Sequence, residues 1–390
     1  MTTTPLRRIT PAERRARLGR RHLLGGFARV GTSGEVVEAL IGLHATDPAT
    51  VFLSAAARMA APDAAAVEHA LYEERTLARI RCMRRTMFVL PSGLAPLVHA
   101  ATAEGAAAKN RAHAMRHLQE TCGWDARRYT AAEQATLAAL IKRGQASATE
   151  LAVDVPELRQ QIATSPGKPY ESRQRVSAPI LGVLAAEGRI RRARPRGSWT
   201  SGQFRWAPAD PLPELPAGPA RTELARRYLA TFGPATADDL KWWTGWTKTD
   251  TRKALAAVGA QPVELDEGTG YLLPGDDAPP AEAEPWAALL PGLDPTPMGW
   301  RHRDFSLDSD HKAALFDRNG NIGPTVWWNG AIIGGWAQRR DGRIAWEPLT
   351  DPGRAARTAV ETEIARLTAF LGTTRVTPQY RTPLERKLAS

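Results

Sequence analysis

Residues 189–206 read Arg189-Ile-Arg-Arg-Ala-Arg-Pro-Arg-Gly-Ser-Trp-Thr-Ser-Gly-Gln-Phe-Arg-Trp206. Two short runs of strand-forming residues flank a Pro/Gly turn, so the stretch predicts a hairpin. Five of its first eight residues are arginine, which makes it the most electropositive spot in the chain. Helix signals precede it. Thr130-Ala-Ala-Glu133 reads as the cap of a helix ending at Gly144, and Ser147-Ala-Thr-Glu150 as the cap of a short one. Glu171 to Glu187 reads as a long helix. Helices closed by a basic hairpin describe a winged helix, a module that grips nucleic acid.

The same order occurs upstream. Thr10-Pro-Ala-Glu13 is a capping box with proline at the first helical position, predicting a helix to about Leu24 before Gly25-Gly26. Short helices follow from Ser33, from Asp47-Pro48 and from Asp63 to Glu74, and then the basic and apolar run Ala78-Arg-Ile-Arg-Cys-Met-Arg-Arg-Thr-Met-Phe-Val-Leu-Pro91 predicts a first hairpin. A third copy starts at Arg221. It has a helix to Phe232, a capped helix at Thr236-Ala-Asp-Asp239, a helix over Thr247–Val258 and a hairpin over Pro262–Pro274. That last wing is acidic, so it is expected to pack internally and not to touch DNA.

The expected fold is α+β, mainly α: three tandem winged-helix units and a C-terminal β-rich segment. The first unit spans 1–95, the second 96–210 and the third 220–275; the β-rich and helical remainder is 286–390. The Pro-rich run Pro208–Pro219 marks the boundary before the third unit, and an Ala/Pro/Glu-rich stretch (277–285) follows it. In the remainder, Asn329-Gly330 joins Thr325-Val-Trp-Trp to Ala331-Ile-Ile-Gly-Gly-Trp336, a strong hairpin signal. A helix over 351–371 and a basic tail close the chain.

Charge follows the same division. Residues 1–210 hold 31 Lys/Arg against 18 Asp/Glu, and 211–390 hold 21 against 23, so the net +11 is a basic first half and a slightly acidic second. A basic half of this kind points to a polyanion. Nine of the twelve tryptophans lie beyond residue 240, where an aromatic core is expected. Two cysteines, Cys82 and Cys122, give neither a zinc ribbon nor a disulfide framework and suit a reducing cytosol. The basic N-terminus lacks the apolar stretch of a secretory signal, and no run is apolar enough to span a membrane. His113 and His117 stand four apart on an expected helix, Lys109 to Gln119, without a third ligand, and no phosphate-binding glycine loop is present, so no metal and no cofactor are expected.

Three further stretches carry a resemblance: Gly42-Leu-His-Ala-Thr-Asp-Pro48 with Val51–Arg58, Leu289-Leu-Pro-Gly-Leu-Asp-Pro295 with Met298-Gly-Trp-Arg-His-Arg303, and Phe316-Asp-Arg-Asn-Gly-Asn-Ile-Gly-Pro-Thr-Val326 through Gly335-Trp336. Over nearly its whole length the chain resembles the AlkZ/YcaQ-type DNA glycosylases, which are winged-helix DNA-binding proteins. The resemblance implies release of N7- or N3-alkylated purines, or bulky adducts, from double-stranded DNA, in self-resistance to alkylating natural products or in crosslink repair. It implies a cytoplasmic, nucleoid-associated monomer. Where that family carries Gln-apolar-Gln or Gln-apolar-Asp, this chain has His44-Ala45-Thr46. Both polar positions differ, and each still carries a hydrogen-bonding side chain.

The catalytic candidates are therefore His44, Thr46 and Asp47. His44 has an ordinary pKa of about 6.5 and could orient or deprotonate a water. Thr46 could hold that water or a phosphate, and Asp47 could stabilise a sugar cation or act as base. Asp47 before Pro48 is equally a helix N-cap, and His44 and Thr46 equally structural. The DNA-binding candidates are Arg81, Arg84 and Arg85 in the first wing, Arg191, Arg192, Arg194, Arg196 and Trp199 in the second, and Arg301 and Arg303 in the family-like loop. A solvated charged face is the alternative for the arginines, and packing under the hairpin for Trp199. The competing function is a non-catalytic winged-helix regulator with a decayed motif.

Overall fold

Thr10 caps the first helix as its sequence dictates: its hydroxyl accepts from the Glu13 N–H at 3.2 Å and Pro11 takes the first turn of α1 (Pro11–Arg21). The computed structural model describes residues 5–103, 106–164, 172–210, 212–281 and 284–390. The extreme N-terminus, Glu171 and Pro211 of the Pro-rich run lie outside the described residues. The first helix ends before Leu24. The His22 ring is drawn into the core, Nδ1 bonding Thr296 at 2.9 Å and Nε2 bonding the Thr231 carbonyl, and tertiary contacts override the local glycine signal.

A Thr32/Glu35 capping box opens α2 (Ser33–Ala39). The chain then runs through β1 (Leu43–His44), α3 (Pro48–Arg58), α4 (Ala64–Tyr72), β2 (Leu77–Arg81) and β3 (Met87–Pro91). The hairpin is joined on its β3 edge by β1, giving the order β1-β3-β2 with Leu43 opposite Val89 and His44 opposite Phe88. Gly42 permits that approach: a Cβ there would meet the Leu90 side chain at 2.5 Å and the Val89 carbonyl at 3.0 Å. The turn between β2 and β3 holds Arg84 and Arg85 in the left-handed region, φ 51° and 60°, an arrangement that non-glycine residues keep only where surrounding contacts enforce it.

Next come α5 (Ala95–Ala103), α6 (Ala106–Cys122), α7 (Ala126–Arg143) and α8 (Ala148–Asp154). The cap of α7 is Asp125; Thr130 sits inside the helix with its hydroxyl donating to the Ala126 carbonyl. The helix expected over 171–187 resolves into β5 (Ser172–Arg175), paired with β4 (Gln161–Thr164), and a shorter α9 (Ser177–Ala186). Polar, β-compatible residues ahead of Val176 satisfy their backbone groups across the hairpin. The basic hairpin is β6 (Ile190–Ala193) with β7 (Arg205–Pro208), extended by a bridge between Trp206 and Ala146.

The following stretch has α10 (Ala217–Phe232), β8 (Ala235–Thr236), α11 (Ala237–Thr244), α12 (Lys248–Ala257), β9 (Gln261–Leu265) and β10 (Gly268–Leu272), with sheet order β8-β10-β9. Its acidic hairpin lies beside the basic N-terminus, with most of its residues exposed to solvent. Arg8 pairs with Glu264 and Asp266, Arg14 with Glu267, and Arg17 and Arg21 with Asp276. Part of the positive excess of the first half is thereby neutralised within the fold.

The remainder contains β11 (Ala287–Leu290), α13 (Lys312–Leu315), β12 (Thr325–Trp328), β13 (Ala331–Gln338), β14 (Ile344–Pro348), α14 (Gly353–Leu371) and α15 (Pro383–Ala389). The four strands form one antiparallel sheet in chain order. Asn329 and Gly330 supply the two positive φ values, 46° and 84°, that a tight hairpin turn demands. The basic tail is a helix, α15, because Leu384 and Leu388 recur four apart and are buried on the core.

One apolar core joins α1, the first hairpin, α10, α11 and the C-terminal sheet, and it holds Trp243, Trp246, Trp286, Trp300 and Trp327. Residues 114–206 close around a core of their own.

Candidate active site and nucleic-acid interface

His44 and Asp47 owe their places to backbone pairing and helix capping. β1 is a two-residue edge, and α3 must begin as soon as it ends, so His44-Ala45-Thr46 forms the bend between them. His44 is buried beside Phe88, ring centroids 5.0 Å apart. The Thr46 N–H points to its Nδ1 at 3.4 Å, which leaves the ring proton on Nε2. Burial, with a smaller push from the Arg84 charge, pulls the imidazole pKa down to about 3. Burial thus favours the neutral ring and makes it a weaker base than its ordinary pKa implies.

Asp47 is the N-cap of α3. Its Oδ1 accepts from the Ala49 N–H at 3.0 Å and its Oδ2 from the Gln379 N–H at 2.8 Å. Burial raises its pKa against the opposing pull of those two bonds. Each oxygen thus accepts one backbone donor, and the carboxylate ties the start of α3 to the Gln379 backbone. Thr46 differs from both. It lines a cleft of about 520 Å³, and its Oγ1 is buried with no hydrogen-bond partner among the described residues.

Behind the motif, α3 is fixed by a buried polar network. Arg58 donates to both oxygens of Asp294 at 2.7 and 2.8 Å, to Thr296 Oγ1, and through Nε to the His22 carbonyl. Ser54 donates to Asp294 and Thr50 to the Gly292 carbonyl. The Pro291–Pro295 loop is thus an internal anchor for the helix that follows the motif.

The cleft lies between the first hairpin and α5 on one side and α9 with the β6–β7 hairpin on the other. Arg75, Arg79, Arg81 and Arg85 reach it from the first side, and Arg191 and Arg192 from the second; among the described lining residues Asp210 is the one acid. Arg192 lies over the rings of Phe204 and Trp206 at 4.2 and 3.9 Å, and burial and the charge of Arg79 lower its pKa to about 10. Sequence reasoning missed Arg75 and Arg79. Their signal was their place in or beside the same basic run, but strand alternation alone did not say which arginines face the second hairpin.

The other candidates are placed differently. Arg84 lies over the Trp242 ring at 4.1 Å and Arg303 over the same ring at 5.0 Å; burial lowers both to about 10. Arg194 is paired with Glu68 and Glu73, and Arg196 with Glu150, in ion pairs that stay partly exposed to solvent. Trp199 stacks on Phe52 at 4.9 Å and contacts Phe370, so packing wins over base stacking. Arg301 is exposed, on a loop whose Arg301 and His302 N–H groups donate to the buried Asp239. His113 and His117 stack at 6.2 Å, and among the described residues no cluster of three metal-ligating side chains occurs. No described helix is long and apolar enough to cross a membrane.

The fold is shared with known proteins. The family model for AlkZ-like DNA glycosylases matches residues 37–370. An interstrand DNA cross-link repair glycosylase of Streptomyces sahachiroi is 28% identical over 165 residues, 40% of this chain and 44% of that protein, so the match spans less than half of that relative. The structure of Streptomyces sahachiroi DNA glycosylase AlkZ superposes with a TM-score of 0.71 at 21% identity, over 95% of this chain and 98% of that one, which shows a shared fold.

Proposed function

The chain belongs to the AlkZ-like DNA glycosylase family, and from that premise we propose that it hydrolyses the N-glycosidic bond of N7- or N3-alkylated purines in duplex DNA, leaving an abasic site. The observation that carries the proposal is the Thr46 hydroxyl, buried without a partner at the family's motif position and lining a cleft walled by arginines. The family match favours this reading over a non-catalytic regulator. The cross-link repair named for the streptomycete relative supports including bulky adducts among the substrates.

The chemistry asks little of an acid. An alkylated purine already bears positive charge, so the C1′–N bond breaks with its electron pair passing to a base that departs neutral. The sugar is left oxocarbenium-like, water adds to C1′, and its proton goes to solvent. What the protein supplies is a positioned water and a fixed electrostatic setting, together capable of several kcal/mol. In this proposal Thr46 Oγ1 accepts or donates to that water, His44 fixes the Thr46 backbone as a neutral ring, and Asp47 holds the start of α3 and adds a buried negative charge beside the motif. The amide side chains of the family motif are replaced by a hydroxyl and an imidazole that perform positioning and not proton abstraction.

The same proposal divides the chain into winged-helix units at 1–95, 96–210 and 220–275 with a C-terminal segment at 286–390. Its support is the recurrence of helices and a closing hairpin in α2–α4 with β2–β3, α7–α9 with β6–β7, and α10–α12 with β9–β10. The protein acts as a monomer on double-stranded DNA, with Arg81, Arg85, Arg191 and Arg192 turned toward the cleft and Arg301 exposed outside it.

The test is incubation with a duplex carrying one N7-methylguanine, followed by hot alkali. Strand cleavage at the lesion is expected, and is lost in a Thr46→Val, His44→Ala double variant. Absence of cleavage across N7- and N3-alkylated and bulky-adduct duplexes overturns the proposal.

A further inference from the structure

Arg79 lies on β2 with 8% of its surface exposed, and its Nε and both terminal nitrogens are buried without a hydrogen-bond partner among the described residues. It lines the same cleft as Thr46. An ionised group in such a setting is costly unless paired, and removal of five N–H donors from water without acceptors adds to that cost. The neighbours do not relieve it. Arg192 stands across from Arg79, held over Phe204 and Trp206, and the pKa values of both Arg191 and Arg192 are lowered by burial and by the charges of Arg75 and Arg79 respectively. Against these four cations the cleft offers one carboxylate, Asp210, among its described lining residues.

Two facing arginine rows, one guanidinium wholly unpaired, and open volume between them specify an anion that brings several oxygens at once. The planar fork of an arginine matches a phosphate in a bidentate manner. We propose that Arg79, with Arg192 opposite, forms a buried phosphate site in this cleft, filled by one backbone phosphodiester of the DNA duplex. The identity of the phosphate as DNA rests on the glycosylase proposal above; the site itself rests on the unpaired guanidinium. A phosphate there lies in the same space as the Thr46 hydroxyl, so it sets the register of the strand relative to the motif, in the way phosphate contacts position a duplex without reading its sequence.

The experiment compares wild type with Arg79→Met using inorganic phosphate and an undamaged duplex as separate probes. In phosphate-free chloride buffer R79M is expected to melt no lower than wild type, because the substitution removes an unpaired buried charge. Inorganic phosphate, against chloride at equal ionic strength, should raise the melting temperature of wild type and not of R79M. The duplex should bind R79M about tenfold more weakly near 0.1 M salt, with the slope of log affinity against log salt shallower by about one. Should R79M fail to fold, Arg79→Lys serves in its place: it keeps the charge and so the slope, and loses affinity with the fork.

A melting temperature that falls in R79M with an unchanged phosphate response makes Arg79 a structural prop and overturns the proposal. A phosphate response lost in R79M with duplex affinity and slope unchanged assigns the site to free phosphate and overturns the DNA assignment. Duplex binding that depends on Arg79 while wild type releases no alkylated base overturns the glycosylase reading and leaves the phosphate site standing.

Discussion

Arg58 and Asp294 meet through two hydrogen bonds of 2.7 and 2.8 Å with neither side chain exposed to solvent, although 236 positions separate them. One residue closes α3, which follows the family's motif position, and the other sits in the loop before Met298. Such a pair is not a strong net stabiliser against a well-packed apolar alternative, but breaking it leaves one charge buried and alone.

Arg58→Ala and Asp294→Ala should each cost about 3–5 kcal/mol of unfolding free energy. Urea denaturation measures this. A paired Arg58→Met, Asp294→Leu change should cost much less than the sum of the two alanine variants, since it removes both charges together.

Thr46→Val separates catalysis from folding. The valine is close in shape and removes a hydroxyl that has no partner among the described residues, so stability should hold or rise slightly. Single-turnover release of N7-methylguanine should fall by about 10²-fold, and Thr46→Ser should restore most of it. A Val variant with wild-type turnover would remove Thr46 from the site.

The pH dependence of stability follows from two histidines. His22 and His44 both have pKa values pulled down to about 3, by burial first and arginine charges second. The unfolded chain carries them near 6.5 and therefore binds more protons between those values. Their contribution is complete above pH 6.5 and is lost as pH falls, at up to about 2.7 kcal/mol per pH unit for two full protons. Denaturant titrations between pH 7 and 5 should show the loss, and His44→Gln should roughly halve this histidine component.

Turnover should behave otherwise. A ring whose pKa is about 3 stays neutral through the working range, so single-turnover rates should be flat from pH 6 to 8. An inflection near 6.5 that disappears in His44→Gln would identify His44 as a general base and contradict the positioning role.

Trp199→Ala tests whether the second hairpin's tryptophan serves DNA or the fold. Its stack on Phe52 and contact with Phe370 predict a loss of about 2–4 kcal/mol in stability. Duplex affinity, measured well below the melting temperature, should keep its salt slope.

Much of the fold was legible because it is written locally. Thr10, Ser147 and Thr236 cap helices where their side chains predict, and Asn329-Gly330 turns the strands it should. The misreadings fall where tertiary contacts decide. Thr130 has the residues of a cap but follows Asp125, which starts the helix a turn earlier. The strand at Ser172–Arg175 is held by pairing with β4, invisible to a helical count. At the site, the motif position came from resemblance, and sequence could not show that burial lowers the His44 pKa or that Asp47 accepts from two backbone N–H groups. Arginine content pointed to the two basic hairpins and not to the cleft between them, Arg194 and Arg196 pair with glutamates, and Arg79 is conspicuous only through its lack of a hydrogen-bond partner among the described residues.

The bond from the Gln379 N–H to Asp47 Oδ2 has a consequence for how the protein comes into being. Synthesis delivers His44, Thr46 and Asp47 first, and the second donor to the Asp47 carboxylate follows 332 positions later. A nascent chain bearing the first hairpin and its arginines can meet DNA while the motif still lacks its final tie. The Asp47 carboxylate therefore gains its second donor only after residue 379 has been made and has folded back onto the start of α3.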